Sequence, residues 1–524
     1  MRRSSLDKNL FSTICVLFAV GVATMFSACK KTQLEEEKTG LNVNSKMAAN
    51  LVAAVNPINP LSNANAAYDG FLNAFLVRSG NATYFVDGIN KRDRAYFWGQ
   101  AFIITGIIDA YERNPTPTRK QLIIDLTNSF LNQETYDWSW NSWTDDIAWA
   151  CIAVIRAYNV TGDQTYRTVA ANNWNFAFNR GWDNVLGGGL WENMDKHTKA
   201  SLANNPMIIS GVFLYEATGD ASFLNRSEQI YTWFRSSGIY NTTTGVVNEA
   251  KVNDGSIQFS ENSYNQGSFI NAAASLYKHT GNAQYLNDAV RTADFVVDKW
   301  GVMNQEADAC ARGIAKLARE NNMTDKYYPW LVRQSIAAWN NRRTDYNIAN
   351  NDWRNPTPSG EQFAMNCISM VTVLNVTPEQ EIVSVPTGTY RLNARHNGLS
   401  LDAVGGATAN NTLLDTWGYG GGNHQRWTLV SLGSGLYRLQ GVGSGRSINV
   451  AGNSGDNNAN IVLFDYNGGG NSKFYFSSPS SGYYSMIFVN SGKAVDVAGT
   501  AQGSTVVQWK PNGGNNQQWQ FVAP

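Results

Sequence analysis

The chain of 524 residues has no excess of charge, with 41 Lys and Arg against 41 Asp and Glu. Without a basic surplus there is little to hold a phosphate backbone, which argues against nucleic acid as a partner. Histidine is scarce. His197, His279, His396 and His424 are the four present, and no two stand three or four residues apart as paired metal ligands on a helix would. Cysteine is scarce too. Of the five, Cys15 and Cys29 fall in the N-terminal segment, leaving Cys151, Cys310 and Cys367, an odd number without metal-ligand spacing. Neither a catalytic metal nor another cofactor is expected. Cys151 lies in an apolar helical run and is read as a core residue.

The apolar run at residues 10–26 is too short and too early for a permanent membrane span. Arg2, Arg3 and Lys8 flank it as in an export signal, and Phe26-Ser27-Ala28-Cys29 resembles a bacterial lipobox with Phe in place of the usual Leu. The expectation is an exported protein anchored to a membrane through lipidated Cys29, facing the periplasm or the cell surface. Residues 30–43, with Glu35-Glu36-Glu37, read as a polar tether.

Aromatics are plentiful: 17 Trp, 23 Tyr and 23 Phe. Most should fill a core. Many of the Trp, however, stand in Gly- and Asn-rich stretches, where an indole face suits the apolar C–H surface of a sugar ring.

An internal repeat organises residues 44–376. Tyr158-Asn-Val-Thr161-Gly162-Asp163 recurs as Tyr215-Glu-Ala-Thr218-Gly219-Asp220 and as Tyr277-Lys-His-Thr280-Gly281-Asn282. Each copy sits between two apolar runs of helical period. The glycine suits a helix C-cap with positive φ, and the Asp or Asn after it can cap the next helix. The unit is therefore a helical hairpin, at spacings of 57 and 62 residues. Similar pairs are predicted at 97–111 with 120–131 and at 312–320 with 329–340, and a first pair or part of one between 46 and 77. About six hairpins closing into a toroid is the expected architecture, with an open superhelix as the alternative. The Thr-Gly-Asp turns would lie at one end. The long return connections, 132–145, 180–205, 236–264 and 299–311, would lie at the other, which is where binding and catalysis are expected.

The run Trp138-Ser-Trp140-Asn-Ser-Trp143-Thr-Asp145-Asp146-Ile-Ala-Trp149 opens one of these helices, with Thr144 or Ser142 as the expected cap. Two adjacent carboxylates in a partly dry pocket cannot both ionise easily, so one pKa should rise. One carboxylate beside one acid is what glycoside hydrolysis needs, and adjacent side chains can reach the about 5–5.5 Å separation of retaining enzymes. On spacing alone, helix capping explains the pair equally well.

The run resembles the acidic motif of glycoside hydrolase family 76, the α-1,6-mannanases with an (α/α)6 toroid. Gly181-Trp182-Asp183 with Gly187-Gly188-Gly189-Leu190-Trp191, then Lys199-Ala-Ser-Leu-Ala-Asn204, then Tyr264-Asn265-Gln266-Gly267 resemble that family's later motifs in the same order, over roughly residues 44–374. Asp308-Ala-Cys310-Ala-Arg-Gly313 is only a loose match to its acidic stretch. The resemblance implies Asp145 as nucleophile and Asp146 as acid/base. It implies a cleft lined by Trp143, Trp191, Asp195, Asn204, Asn205, Asp254, Tyr264, Asn265 and Gln266. For Tyr264 and Gln266, packing at a helix start is an equal alternative.

Residues 377–386 read as a linker, and 387–524 as a second, all-β domain of three repeats. Gly398-Leu-Ser-Leu-Asp402, Gly445-Arg-Ser-Ile-Asn449 and Gly492-Lys-Ala-Val-Asp496 recur at a spacing of 47. Downstream lie Gln425-Arg-Trp427, Lys473-Phe-Tyr475 and Gln517-Gln-Trp519. This resembles the ricin-type β-trefoil lectins. The resemblance implies a sugar site in lobe three at Asp496, Trp509, Asn516 and Gln517, and another in lobe one at Asp402, Trp417 and Gln425, where His424 replaces Asn. Lobe two, read as Asn449, Tyr466 and Lys473, is degenerate. Trp427 and Trp519 are expected in the trefoil core.

The resulting expectation is a monomeric, retaining, endo-acting enzyme that cuts α-1,6-mannosidic bonds in mannan or a related polysaccharide and carries a sugar-binding module. Two alternatives stand beside it. An unsaturated glucuronyl hydrolase would want a basic pocket, for which the loops offer only Lys196 and Lys199. A non-catalytic glycan-binding lipoprotein would leave the acidic pair without a role.

Overall fold

A computed structural model of the chain describes residues 56–59, 61–382, 385–433, 435–480 and 482–524. The export signal, Cys29 and the tether lie outside them. Among the described residues no helix is long and apolar enough to cross a membrane.

The first part is helical. Its elements are α1 (Leu61–Phe75), α2 (Phe97–Arg113), α3 (Pro117–Glu134), α4 (Thr144–Thr161), α5 (Gln164–Gly181) and α6 (Ser201–Thr218). They continue with α7 (Ala221–Ser236), α8 (Ser263–Thr280), α9 (Ala283–Lys299), α10 (Asp308–Glu320), α11 (Thr324–Asn340) and α12 (Ala364–Val376). The even-numbered helices form an inner ring: α2 packs on α4, then α6, α8, α10 and α12, and α12 returns to α2. The odd-numbered helices pack outside them. This is the closed (α/α)6 toroid rather than the open superhelix.

The repeated turns form as their residues dictate. Gly162, Gly219 and Gly281 take positive φ at the ends of α4, α6 and α8, while Asp163, Asp220 and Asn282 accept from the second residue of the helix that follows.

Closure departs from the expected hairpin order. α1 has no consecutive partner. It packs against α12, so the sixth pair joins the two ends of the helical domain. α12 carries no amphipathic signature because it is an inner helix with neighbours on nearly every side, and ten of its residues are buried. Part of the segment expected as a linker is a strand: Gln380–Ile382 pairs antiparallel with Asn56–Ile58.

The second part is a twelve-stranded antiparallel trefoil with its own core. Trp427, Phe474 and Trp519 are fully buried at its centre, and both indole N–H groups donate to backbone carbonyls, at Leu401 and Val495. The domains meet along a small apolar seam of Val332 on α11 with Tyr475, Ile487 and Ala494, where Lys510 Nζ lies 3.0 Å from Asp294.

Neighbouring inner helices approach to backbone contact. A Cβ on Gly267 of α8 would strike the backbone of Ala309 and Cys310 in α10. Gly267→Ala should therefore destabilise the helical domain by about 3 kcal/mol, the upper end of overpacking costs, because backbone cannot swing aside. Thermal unfolding of the two variants checks this: Gly360→Ala, which faces open space, should leave the midpoint unchanged.

Candidate active site

All six inner helices start at the end of the toroid that carries the long return connections. A cavity of about 510 Å3 opens there. Its walls are Tyr96, Trp98 and Phe102 at the start of α2, Trp143, Asp145, Asp146 and Trp149 at the start of α4, and Leu202 on α6. Tyr264 on α8, Glu306 before α10, and Met365 with Asn366 on α12 complete them. Tyr96, Trp98 and Trp143 are exposed, so aromatic faces stand open to a ligand. No Lys or Arg is among the wall residues.

Asp145 and Asp146 are the second and third residues of α4. The cap is not Thr144 or Ser142. Trp143 holds the cap position with no side-chain bond, and Thr144 is the first helical residue, buried, with its backbone N–H donating to the Glu192 carbonyl. Asn141 organises the turn instead. Its Oδ1 accepts from Trp143 N, and its Nδ2 donates to Asp146 Oδ2 at 3.0 Å. Asp145 has no such donor, and its Oδ1 is buried without a partner. Burial first, then the charges of Asp146 and Glu192, push Asp145 up to about 8. Burial also raises Asp146, against the opposing bond from Asn141. The helix N-terminus favours both carboxylates, but in this closed setting desolvation is the larger effect. Glu306 on the wall and Glu192 and Glu249 behind it make the whole mouth acidic.

Of the residues expected to line the cleft, Trp143 and Tyr264 join the acidic pair on its wall. The Tyr264 hydroxyl accepts from Asn262 and faces Glu249 at 3.4 Å. The others stand behind or outside. Asn265 is fully buried and donates to Glu249 at 2.9 Å. Gln266 clasps the backbone of Val247 in both directions, and Asn204 does the same to Leu190. These amides tie the return loops to the inner helices; both polar atoms of Gln266 and Asn204 are used in this way, while Asn265 keeps an unpartnered Oδ1. Asn205 is fully buried, with both amide atoms unpartnered. Trp191 is buried as a strut, its Nε1 on Asp183 and Lys199 Nζ over its ring at 4.6 Å. Asp195 and Asp254 are exposed and cap their own loop turns.

Sequence reasoning missed the α2 and α12 walls, Trp149, Leu202 and Glu306. One signal was available: Tyr96-Phe97-Trp98 opens α2 as Trp143 opens α4. Met365 and Asn366 carry no motif at all.

In the trefoil, lobe three assembles as expected. Asn516 Nδ2 lies 3.0 Å from both Asp496 oxygens, Gln517 Nε2 donates to Oδ2 at 2.8 Å, and Trp509 is exposed. In lobe one, Gln425 is held by Gly418 and Gly420, Trp417 is exposed, and His424 Nε2 lies 3.4 Å from Asp402. Burial is the main cause that pushes Asp402 up to about 6, with Asp415's charge adding to it and His424 opposing. Lobe two requires a correction of register. Asn471, not Lys473, stands at the amide position, donating to Asn449 Oδ1 at 2.6 Å. Phe464, not Tyr466, pairs with Ser447 as Trp417 pairs with Ser400 and Trp509 with Ala494. Phe474 takes the core place of Trp427 and Trp519, while Tyr475 faces the domain seam.

The raised Asp145 has a consequence for stability. The fold favours its protonated form, so the contribution is present below the ordinary carboxylate pKa and is lost as pH rises toward about 8. Asp145→Asn should match wild type in melting temperature near pH 4 and exceed it increasingly up to about pH 8, after which the gap levels off. Melting curves across that range show a constant gap if Asp145 is not buried as described.

A model of glycosyl hydrolase family 76 matches residues 61–384, and one of the ricin-type beta-trefoil lectin domain-like family matches 380–464 and 470–524. No curated protein matches. Among solved structures, the GH76A alpha-1,6-mannanase of Salegentibacter sp. HEL1_6 is 24% identical, with 60% of this chain and 98% of that chain covered at a TM-score of 0.56. An inactive variant of it, with two consecutive aspartates replaced by alanine, is in complex with alpha-1,6-mannotetrose. A glycoside hydrolase family 76 mannosidase from Bacteroides thetaiotaomicron is 19% identical over 60% of this chain and 96% of that chain, at a TM-score of 0.54. Likeness at these identities establishes the shared fold. With the family model spanning more than half of its length, the chain belongs to glycosyl hydrolase family 76 and carries a ricin-type trefoil domain behind its helical toroid.

Proposed function

We propose that the protein is a retaining, endo-acting hydrolase of α-1,6-mannosidic bonds, with Asp145 and Asp146 as its catalytic pair. The observation that carries this reading is the juxtaposition of two carboxyls, one with an unpartnered buried Oδ1 and one bonded to Asn141, in an aromatic cavity without a basic residue. A cavity of this charge suits a neutral polysaccharide and is unsuited to uronates, whose carboxylates Asp145, Asp146 and Glu306 would repel. The relative inactivated by replacing two consecutive aspartates, and seen with an α-1,6-linked mannose oligomer, supports both the pair and the linkage. Neighbouring carboxyls are consistent with the about 5–5.5 Å spacing of double displacement. Export and lipid anchoring at Cys29 remain part of the proposal, resting on the N-terminal sequence.

In this reading one carboxylate attacks the anomeric carbon while the other gives its proton to the departing oxygen. Water then reverses the sequence, with the acid acting as base. The family order makes Asp145 the nucleophile. In the structure, however, it is Asp145 that is pushed toward the protonated form, and Asp146 that has a side-chain donor for its charge. Two neighbours that share one proton titrate as a pair. The positive charge that develops on the sugar ring favours ionising the carboxyl beneath it, so the proton can pass to Asp146 as the transition state forms. We keep Asp145 as nucleophile on this argument.

Debranched yeast-type mannan is the substrate for the test, with released oligosaccharides sized. Asp145→Asn and Asp146→Asn should each lower kcat by about 10^3-fold or more, within the range for lost acid–base or nucleophilic groups. Equal product release by wild type and Asp145→Asn sinks the assignment. The pH profile of wild type should fall on the alkaline side near pH 8, as the pair loses its shared proton. On an aryl mannoside with an activated leaving group, Asp146→Asn should recover a burst of phenol and Asp145→Asn should not. The opposite pattern would exchange the two roles.

A further inference from the structure

The three trefoil lobes are built on one pattern, and lobe one departs from it at two places that face each other. In lobe three, Asp496 stands across the strand pair from Val507, and in lobe two Asn449 stands across from Val462. In lobe one, Asp402 stands across from Asp415. Directly opposed residues of an antiparallel pair point to the same face. The neighbours Leu401 and Leu414 point into the trefoil core, so the two aspartates point away from it, to the side where Trp417 is exposed. The second departure is His424, which lies 3.4 Å from Asp402 where lobe three has Asn516.

The lobes thus form a series of two carboxylates, one and none at otherwise equivalent places. Asp402 and Asp415 are 6% and 8% exposed; Gln425 reaches Asp402, but the Oδ1 of Asp402 has only His424 at 3.4 Å and the Oδ1 of Asp415 has no donor. In lobe three Asn516 and Gln517 both donate to the single Asp496, and Asn516 meets both of its oxygens. Within the lobe, the only compensation is a proton shared between the two aspartates and the nearby His424, and a neutral sugar would add hydroxyl donors but no charge. A sugar ammonium brings three donors and a positive charge to the same point, and charge-assisted bonds are the stronger kind.

We propose that lobe one is a binding site for a hexosamine unit bearing a free amino group, with the amine between Asp402 and Asp415 and the ring on Trp417. This rests on the reading of lobe one as a sugar site, and it adds a ligand class that lobes two and three do not share.

The test uses the full chain and isothermal titration at about pH 6.5, below the ordinary range for amino groups. The probes are a glucosamine trisaccharide and its fully N-acetylated counterpart, with a neutral mannotriose beside them. Wild type and the lobe-three variant Trp509→Ala should bind the free-amine trimer about tenfold or more tighter than its acetylated twin, the scale of one charge-assisted contact. Asp415→Val, which copies the other lobes, and Asp415→Asn, which keeps the shape, should both erase that preference. The proposal is overturned if wild type shows no preference, if both Asp415 variants retain it, or if a chelator abolishes it, since a metal ion would then be what the carboxylates hold. If Trp417→Ala changes the binding of no probe, the underlying reading of lobe one as a sugar site fails instead.

Discussion

Closure of the inner ring is the constraint on which the rest of the helical domain depends. Six helices can surround one axis only if each meets both neighbours closely, and glycine permits the tightest of those meetings. Gly267 and Gly313 bring α8 and α10 to backbone contact, and Gly106 leaves room on α2 for Ile368 of α12. The glycine of Tyr264-Asn265-Gln266-Gly267 therefore serves the packing behind the cavity, while the tyrosine three residues earlier serves its wall. Because the ring is closed and its chain alternates inward and outward, all six inner helices begin at the same end. Their N-termini and the long loops converge there on one cavity.

Two polar devices keep that end in shape. Amides on the helices hold the loops by their backbones: Gln100 holds Phe85, Asn204 holds Leu190, Gln266 holds Val247 and Gln334 holds Met303. Deeper in the ring, Asp109 receives Arg156 and Arg312, and Arg312 reaches on to Asp308. This network ties α2, α4 and α10 together, and Thr372 adds α12. Removing one partner of such a buried pair is costly, because the other charge is left uncompensated. Asp308 therefore belongs to the framework, which explains how its segment can resemble the family's acidic stretch only loosely without touching the acidic pair.

The acidic pair works against this rigid background. Asn141 gives Asp146 a side-chain donor that Asp145 lacks, and Asp145 keeps a buried Oδ1 without a partner. The asymmetry arises from Asn141, three residues before the helix, rather than from the helix end itself. The trefoil uses the same principle in a different way. Its three equivalent pockets differ in how many buried carboxylates they hold and how many donors meet them.

What was local was legible in the residues. The Thr-Gly-Asp turns gave the hairpins, because a positive φ and a capping carboxylate are short-range demands. The 47-residue repeat gave the three lobes, the resemblance to ricin-type lectins gave their trefoil arrangement, and the Trp-rich run marked the entrance of α4. What was not local could not be read. α12 shows no amphipathic period because its surroundings are protein on nearly all sides, and its pairing with α1 joins residues some 300 positions apart. Trp191, Asn204 and Gln266 sit in motifs, yet packing turned them into struts and clasps, since a loop's direction depends on what it is tied to. The register of lobe two and the meeting of Asp402 with Asp415 came only with strand pairing. The sequence by itself determined the hairpins, the lobes and the presence of two adjacent carboxyls. Tertiary structure decided which walls enclose them and which of them is left without a side-chain donor, because both depend on desolvation and on contacts between residues far apart in the chain.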